Sequence, residues 1–258
     1  MNVSEILTPS NLSLWVIIPA MIGNVLWVIM YILIIVKARQ HQFVEMPIFV
    51  ITGNLVWEGL YGFVLPWNNN LNPILHWQIN IWCLTDCIIL FLAIKYASIS
   101  ISTPLVLKHI KSISGGLIIF WAIFIYAIAI SDIKSENAIS ANQDLIREAI
   151  SAYILNILIS TTYIFQYLRF YNHRKFIPAI AWLKMIGTGL NTFAVYVNKP
   201  FNLLIFVMGI IVLLADIIYI LLLKILPNNI TSIRLSQEVD KPKVSVDSGL
   251  IPHNTKLS

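Results

Sequence analysis

Residues 46–66 read MPIFVITGNLVWEGLYGFVLP, an apolar run with one acid, Glu58, at its middle. A helix needs about 20 apolar residues to cross a hydrocarbon core about 30 Å thick, and this run has that length. Pro47 falls at the helix start, where its missing N–H costs nothing. Working outward, six more such runs occur at 14–36, 77–96, 113–130, 146–170, 177–197 and 201–226. Pro200 also stands at a helix start, Pro104 and Pro227 stand just past helix ends, and Pro73 is expected in a connection. The expected fold is all-α, an integral membrane seven-helix bundle over residues 1–227. Beyond Pro227 the composition turns polar, and 228–258 is expected to be a disordered tail.

Composition agrees. Of 258 residues, 58% are hydrophobic and 11% are charged, against about 25% charged in soluble domains. With a mean hydropathy of +0.80, there is too little polar surface for a soluble globular enzyme, a disordered chain or an ordinary nucleic-acid binder. The first run is too long for a signal peptide and has no basic stretch before it, so it is expected to be retained. Cys83 and Cys87 lie four apart on one helix face, which suits apolar packing and gives no disulfide framework.

The net charge of +5 matters less than its placement. Lys37, Arg39, Lys95, Lys108, Lys111, Arg169, Arg174 and Lys175 flank the ends of runs one, three and five, and Lys224, Arg234, Lys241, Lys243 and Lys256 follow the last. Only Lys134, Arg147 and Lys199 fall on the other side, among Glu5, Asp132, Glu136, Asp144 and Glu148. Thirteen against three predicts an outside N-terminus and a cytoplasmic C-terminus. Asn2 and Asn11 begin N-x-Ser sequons on the outer side.

Ionisable groups within a span cost at least ~2.5–3.5 kcal/mol each on insertion scales and mark functional positions by default. Four occur: Glu58, Asp86, Lys184 and Asp216. At about 1.5 Å per residue, Glu58 lies roughly 18 Å above the inner end of its span, Asp86 and Asp216 roughly 15 Å, and Lys184 roughly 10 Å. Three carboxyls therefore reach a common level. Around them, helical spacing groups Asn54, Glu58 and Tyr61 with Trp57, and Gly209 and Asp216 with Tyr219. It also groups Lys184, Thr188 and Asn191, and a fifth-span stripe of Tyr153, Asn156, Ser160, Tyr163 and Tyr167. Such stripes either line a cavity or serve as interhelical hydrogen-bond glue. The fourth run is nearly free of polar residues and is expected to face lipid.

Other seven-span functions can be weighed on the same residues. A retinal protein needs a lysine at the middle of the last span, where this chain has Asp216. A proton-coupled small-solute transporter would use the same acids, but it predicts a three-plus-three repeat, and none is found. A receptor is compatible with the composition, without specific support. One local match occurs: Gly23-Asn24-x-x-Trp27-x-x-x-Tyr31 parallels Gly53-Asn54-x-x-Trp57-x-x-x-Tyr61. Val28 stands there in the place of Glu58.

Met46-Pro47, followed by Asn54-x-x-Trp57-Glu58 and Tyr61, resembles the second-span signature of the membrane-integral terpene cyclases of fungal meroterpenoid and indole-diterpene pathways. Trp82 and Asp86 are similar to that family's third-span pair, Trp182-x-Lys184-x-x-Gly187-Thr188 to its sixth-span pattern, and Asp216-x-x-Tyr219 to its last. The resemblance implies a metal-independent, cofactor-free cyclase that protonates a polyprenyl group, often a terminal epoxide, and directs cationic ring closure. It implies Glu58 and Asp216 as the acid pair. It implies Asp86, Asn54, Trp57, Tyr61, Trp82, Lys184 and Tyr219 as supporting or cavity residues. The implied partners are a prenylated, lipid-soluble substrate arriving from the bilayer, and no nucleic acid.

The physical chemistry of the residues is compatible with that expectation. Carboxyls brought together out of water share a proton, aromatic faces stabilise a cation, and an apolar cavity keeps water from quenching it. One condition attaches to the pair. If Lys184 pairs with Asp216, that aspartate is held ionised and Glu58 alone remains as acid.

Overall fold

The computed structural model describes residues 14–65, 73–131, 141–171, 176–197 and 202–226. Asn2, Asn11 and the expected tail at 228–258 lie outside the described residues. Among the described residues there are nine α-helices and no strand: α1 (Leu14–His41), α2 (Ile48–Gly59), α3 (Pro73–Lys95), α4 (Ala97–Ser100), α5 (Pro104–Lys108), α6 (Ile110–Ile130), α7 (Ala141–Phe170), α8 (Pro178–Val197) and α9 (Leu203–Ile225).

Two corrections to the sequence expectation concern Pro104 and Pro73. Pro104 does not close a helix but opens α5, the second of two short helices, α4 and α5, that connect runs three and four. Pro73 is the first residue of α3 rather than part of a connection, a position its ring tolerates.

Among the described residues, five helices are long and apolar enough to cross a membrane: α1, α6 and α9 in full, and α3 and α7 over Trp77–Lys95 and Ile146–Phe170. The two runs that fall short do so for a physical reason. Helix α2 ends early, passing into a single π-turn at Leu60–Val64 in which Leu65 N–H reaches the Leu60 carbonyl. Helix α8 spends apolar length on Lys184, Thr188, Asn191 and Thr192. Both carry candidate site residues.

The surface confirms a lipid-facing design. On α1, Trp15, Ile18, Ile22, Val25, Ile29, Ile32 and Val36 recur at steps of three and four and are exposed. A stripe of that size on a water-soluble protein would drive association; in hydrocarbon it is the stable arrangement. The opposite face of α1 buries Asn24, Trp27, Tyr31 and Ile34. Helix α6 is exposed over most of its length and buries only Ile110, Ser114, Trp121 and Ile125.

Inside, α1 packs mainly on α8 and also on α3; α2 packs on α3, α6 and α7; α9 packs on α7 and α8. Small residues set the closest approach. A Cβ on Gly23 would meet the Gly187 carbonyl oxygen at 2.7 Å, and one on Gly187 would meet Trp27 at 2.9 Å. These backbones cross as small-residue contacts allow. In α2, a Cβ on Gly53 would meet Leu155 and Trp121. The paired Gly-Asn-x-x-Trp patterns of the first two runs therefore both begin at a glycine against which a neighbour packs.

Candidate active site

Three helices build the first half of the site. Helix α2 presents Asn54 and Glu58 one turn apart, α1 presents Tyr31, and α3 presents Asp86; all four are buried. Tyr31 Oη donates to Glu58 Oε1 at 3.2 Å, and Asn54 Nδ2 donates to Tyr31 Oη at 2.9 Å. The hydroxyl is thereby oriented by Asn54 toward the acid. Asp86 stands beside Glu58, Asn54 and Tyr31 and interacts with all three side chains, but its two oxygens and Glu58 Oε2 make no hydrogen bond of normal geometry. Two buried carboxyls thus face one another, an arrangement that closes when they share a proton.

The second half lies on α7, α8 and α9. Lys184 Nζ donates to Asp216 Oδ1 at 2.7 Å and Oδ2 at 2.9 Å, and to Ser160 Oγ at 2.5 Å. Its three protons are all used. The same ammonium stands 5.9 Å from the centroid of the Trp27 ring. The condition attached to the acid pair is therefore met geometrically: Asp216 is clasped by Lys184.

Tyr163 joins the halves, lying within electrostatic reach of both Asp86 and Asp216. Its ring centroid is 5.5 Å from that of Tyr219. Neither hydroxyl has a hydrogen-bond partner.

The remaining candidates divide. The rings of Trp57 in α2 and Tyr61 in the π-turn meet tilted, with centroids 5.2 Å apart, where Trp57 Nε1 donates to Ser151 Oγ at 2.9 Å and Tyr61 Oη lies 3.4 Å from the same oxygen. They do not join Glu58 in one cluster: Trp57 is one residue step, about 100°, around the helix from it, and Tyr61 lies in the π-turn, where α-helical spacing no longer holds. Trp82 packs against the buried clusters on both sides, with its Nε1 buried and unpartnered. Trp182 points outward, under the Lys224 ammonium. Sequence reasoning misses Tyr31 as a site residue. Its only signal is the Gly-Asn-x-x-Trp-x-x-x-Tyr match, which places it without giving it a role. Among the described residues, no three His, Cys, Asp or Glu side chains converge.

A multi-pass helical membrane protein with acids buried among apolar and aromatic side chains is the class that fold and site define. The sequence profile of the Pyr4-like transmembrane terpene cyclases matches residues 9–227, and the chain belongs to that family. Terpene cyclase macJ of Penicillium terrestre is 29% identical over 172 residues, 65% of this chain and 61% of that protein. The match thus spans less than two thirds of that relative's length. No solved structure matches the chain. Nothing in these comparisons supports the transporter alternative.

Proposed function

We propose that this protein is a membrane-bound terpene cyclase in which Glu58 protonates a polyprenyl substrate, an epoxide where one is present, and starts cationic ring closure. The observation that carries the proposal is the buried Glu58–Asp86 pair, with Glu58 Oε2 in no hydrogen bond of normal geometry. A neutral Glu58 can offer its proton to an epoxide oxygen there. The C–O bond opens, and the prenyl double bonds close onto the developing cation. The cascade ends when a carbon sheds a proton to form an alkene. Substrate and product are isomers, and no electrons are exchanged with the protein.

Asp86 takes the role of the acid that shares and restores the Glu58 proton. Asp216 keeps its place in the site as a carboxylate tied to Lys184, not as the initiating donor. Tyr219 and Trp82 offer ring faces that suit a cation. In this reading all seven apolar runs cross the bilayer, with the N-terminus outside and the C-terminus cytoplasmic, and the substrate enters laterally from lipid.

Membranes containing the protein, given a small panel of prenylated epoxides, should form a cyclic product of equal mass. Recovery of every epoxide unchanged, with the protein intact in the membrane, counts against the proposal.

A further inference from the structure

Glu45 is an acid that the cyclisation scheme does not use. It lies in the connection between α1 and α2, where a carboxyl ordinarily finds water, yet it is only 4% exposed. Its Oε1 accepts the Ile177 backbone N–H at 3.1 Å. Its Oε2 is buried with no partner. The connection is held inward by Gln166 Nε2, which donates to the Val44 carbonyl at 3.0 Å, and by the Phe43–Phe176 contact.

Two more orphans lie above it. Tyr219 Oη and Tyr163 Oη are buried and unpartnered, and both tyrosines stand within electrostatic reach of Glu45. Tyr163 also reaches Asp86. Rise along the helices orders these groups by depth: Tyr219 is roughly 9 Å from the end of α9, Tyr163 roughly 10 Å from the end of α7, and Asp86 roughly 14 Å from the end of α3. An acid at the membrane face is thus followed by two free hydroxyls at intermediate depth and then by the buried acid pair. Packing accounts for the rings but not for three polar groups left unsatisfied in a row.

We propose that Glu45, Tyr219 and Tyr163 form a proton-return path that recharges the Asp86–Glu58 pair from the membrane face where α1 meets α2. The path rests on the cyclase reading and deepens it. Glu58 loses one proton to the substrate oxygen, and the final cation gives one to water as its alkene forms. The path delivers one proton to Asp86 and Glu58, and Glu45 regains its own from water, so the cycle consumes none. Each hydroxyl passes a proton by accepting on a lone pair while donating its own. Steps longer than a hydrogen bond are bridged by water, which orphaned polar groups of this kind hold.

The test compares wild type, Glu45→Gln and Tyr163→Phe in one membrane preparation, with the same small panel of prenyl epoxides. Because the Tyr163 hydroxyl makes no hydrogen bond, its removal cannot cost one, and a purely structural Tyr163 would tolerate phenylalanine. The path predicts that both variants keep a first turnover and a KM within about twofold of wild type, since Glu58 begins protonated. It predicts that kcat falls at least about tenfold, the range of lost acid–base assistance. It also predicts a pH signature. Burial pushes the Glu45 carboxyl up to about 8, with Tyr163, Tyr219 and the Ile177 N–H as the groups facing it, so wild-type kcat should decline as pH rises through about 8. Glu45→Gln should lack that limb. An unchanged kcat in Tyr163→Phe overturns the path, as does equal loss of first and later turnovers in both variants. A wild type without any first turnover instead overturns the cyclase reading itself.

Discussion

Lys184 Nζ sits 2.7 Å from one oxygen of Asp216 and 2.9 Å from the other, with both side chains only 3% exposed. That clasp ties up one of the two acids that the family resemblance pairs. Glu58 is left facing Asp86 and Tyr31, and Asp216 becomes half of a buried ion pair.

Removing one partner of such a pair strands the other. Asp216→Asn leaves the Lys184 ammonium uncompensated, a change that typically costs about 3–5 kcal/mol. The variant should melt well below wild type in detergent, whereas the double change Lys184→Met with Asp216→Leu should recover most of the loss. Wild-type melting of Asp216→Asn would show that the clasp carries no stability. A fall in Asp216→Asn activity therefore says nothing about proton donation unless melting is measured beside it.

Glu45 gives stability a pH dependence of defined sign. Its carboxyl ionises near 4.5 when free of the fold and at about 8 within it. Between those values the unfolded chain has lost the proton and the folded chain holds it, so the contribution is complete below about 4.5 and is lost as pH rises toward 8. The slope integrates to several kcal/mol. Denaturation followed from pH 5 to 8 should show declining stability in wild type and a flatter profile in Glu45→Gln. Identical slopes would contradict this.

The crossing of α1 on α8 leaves no room for side chains. Gly187→Ala would place a Cβ 2.9 Å from Trp27 and 3.0 Å from the Gly23 carbonyl. Overpacking of this kind costs about 1–3 kcal/mol, and because Lys184 lies one turn away, the ion pair should loosen too. A lowered melting temperature is expected. An unchanged one would mean that the helices separate without penalty.

Orientation rests on thirteen basic residues against three. A reporter fused after Ser258 should lie in the cytoplasm. Export of that reporter would mean that a run does not span or that the bundle is inverted.

Charged residues in apolar runs announce themselves, so Glu58, Asp86, Lys184 and Asp216 are legible in the sequence. Their pairing is not. Rise per residue fixes depth, but the direction a side chain takes around its helix depends on neighbours that sequence does not specify. That is why Asp86, not Asp216, stands against Glu58, and why Trp57 and Tyr61 turn away toward Ser151. Tyr31 is hidden because an aromatic residue in a span reads as packing. Glu45 is hidden because it precedes the apolar run, and its burial depends on contacts from α7 and from the residues leading into α8. Helices α4 and α5 escape because segments of four or five residues carry no hydrophobic period.

The central claim is that Glu58 supplies the proton. Glu58→Gln keeps the shape and the Tyr31 hydrogen bond but has no acidic proton to give. With equal amounts of wild-type and Glu58→Gln protein in the same membranes, the rate of cyclic isomer formation from a prenyl epoxide should fall at least about 10²-fold, as is typical of general-acid loss. Melting should hold or rise, because a buried acid is gone. Cyclisation by Glu58→Gln at the wild-type rate would contradict the account.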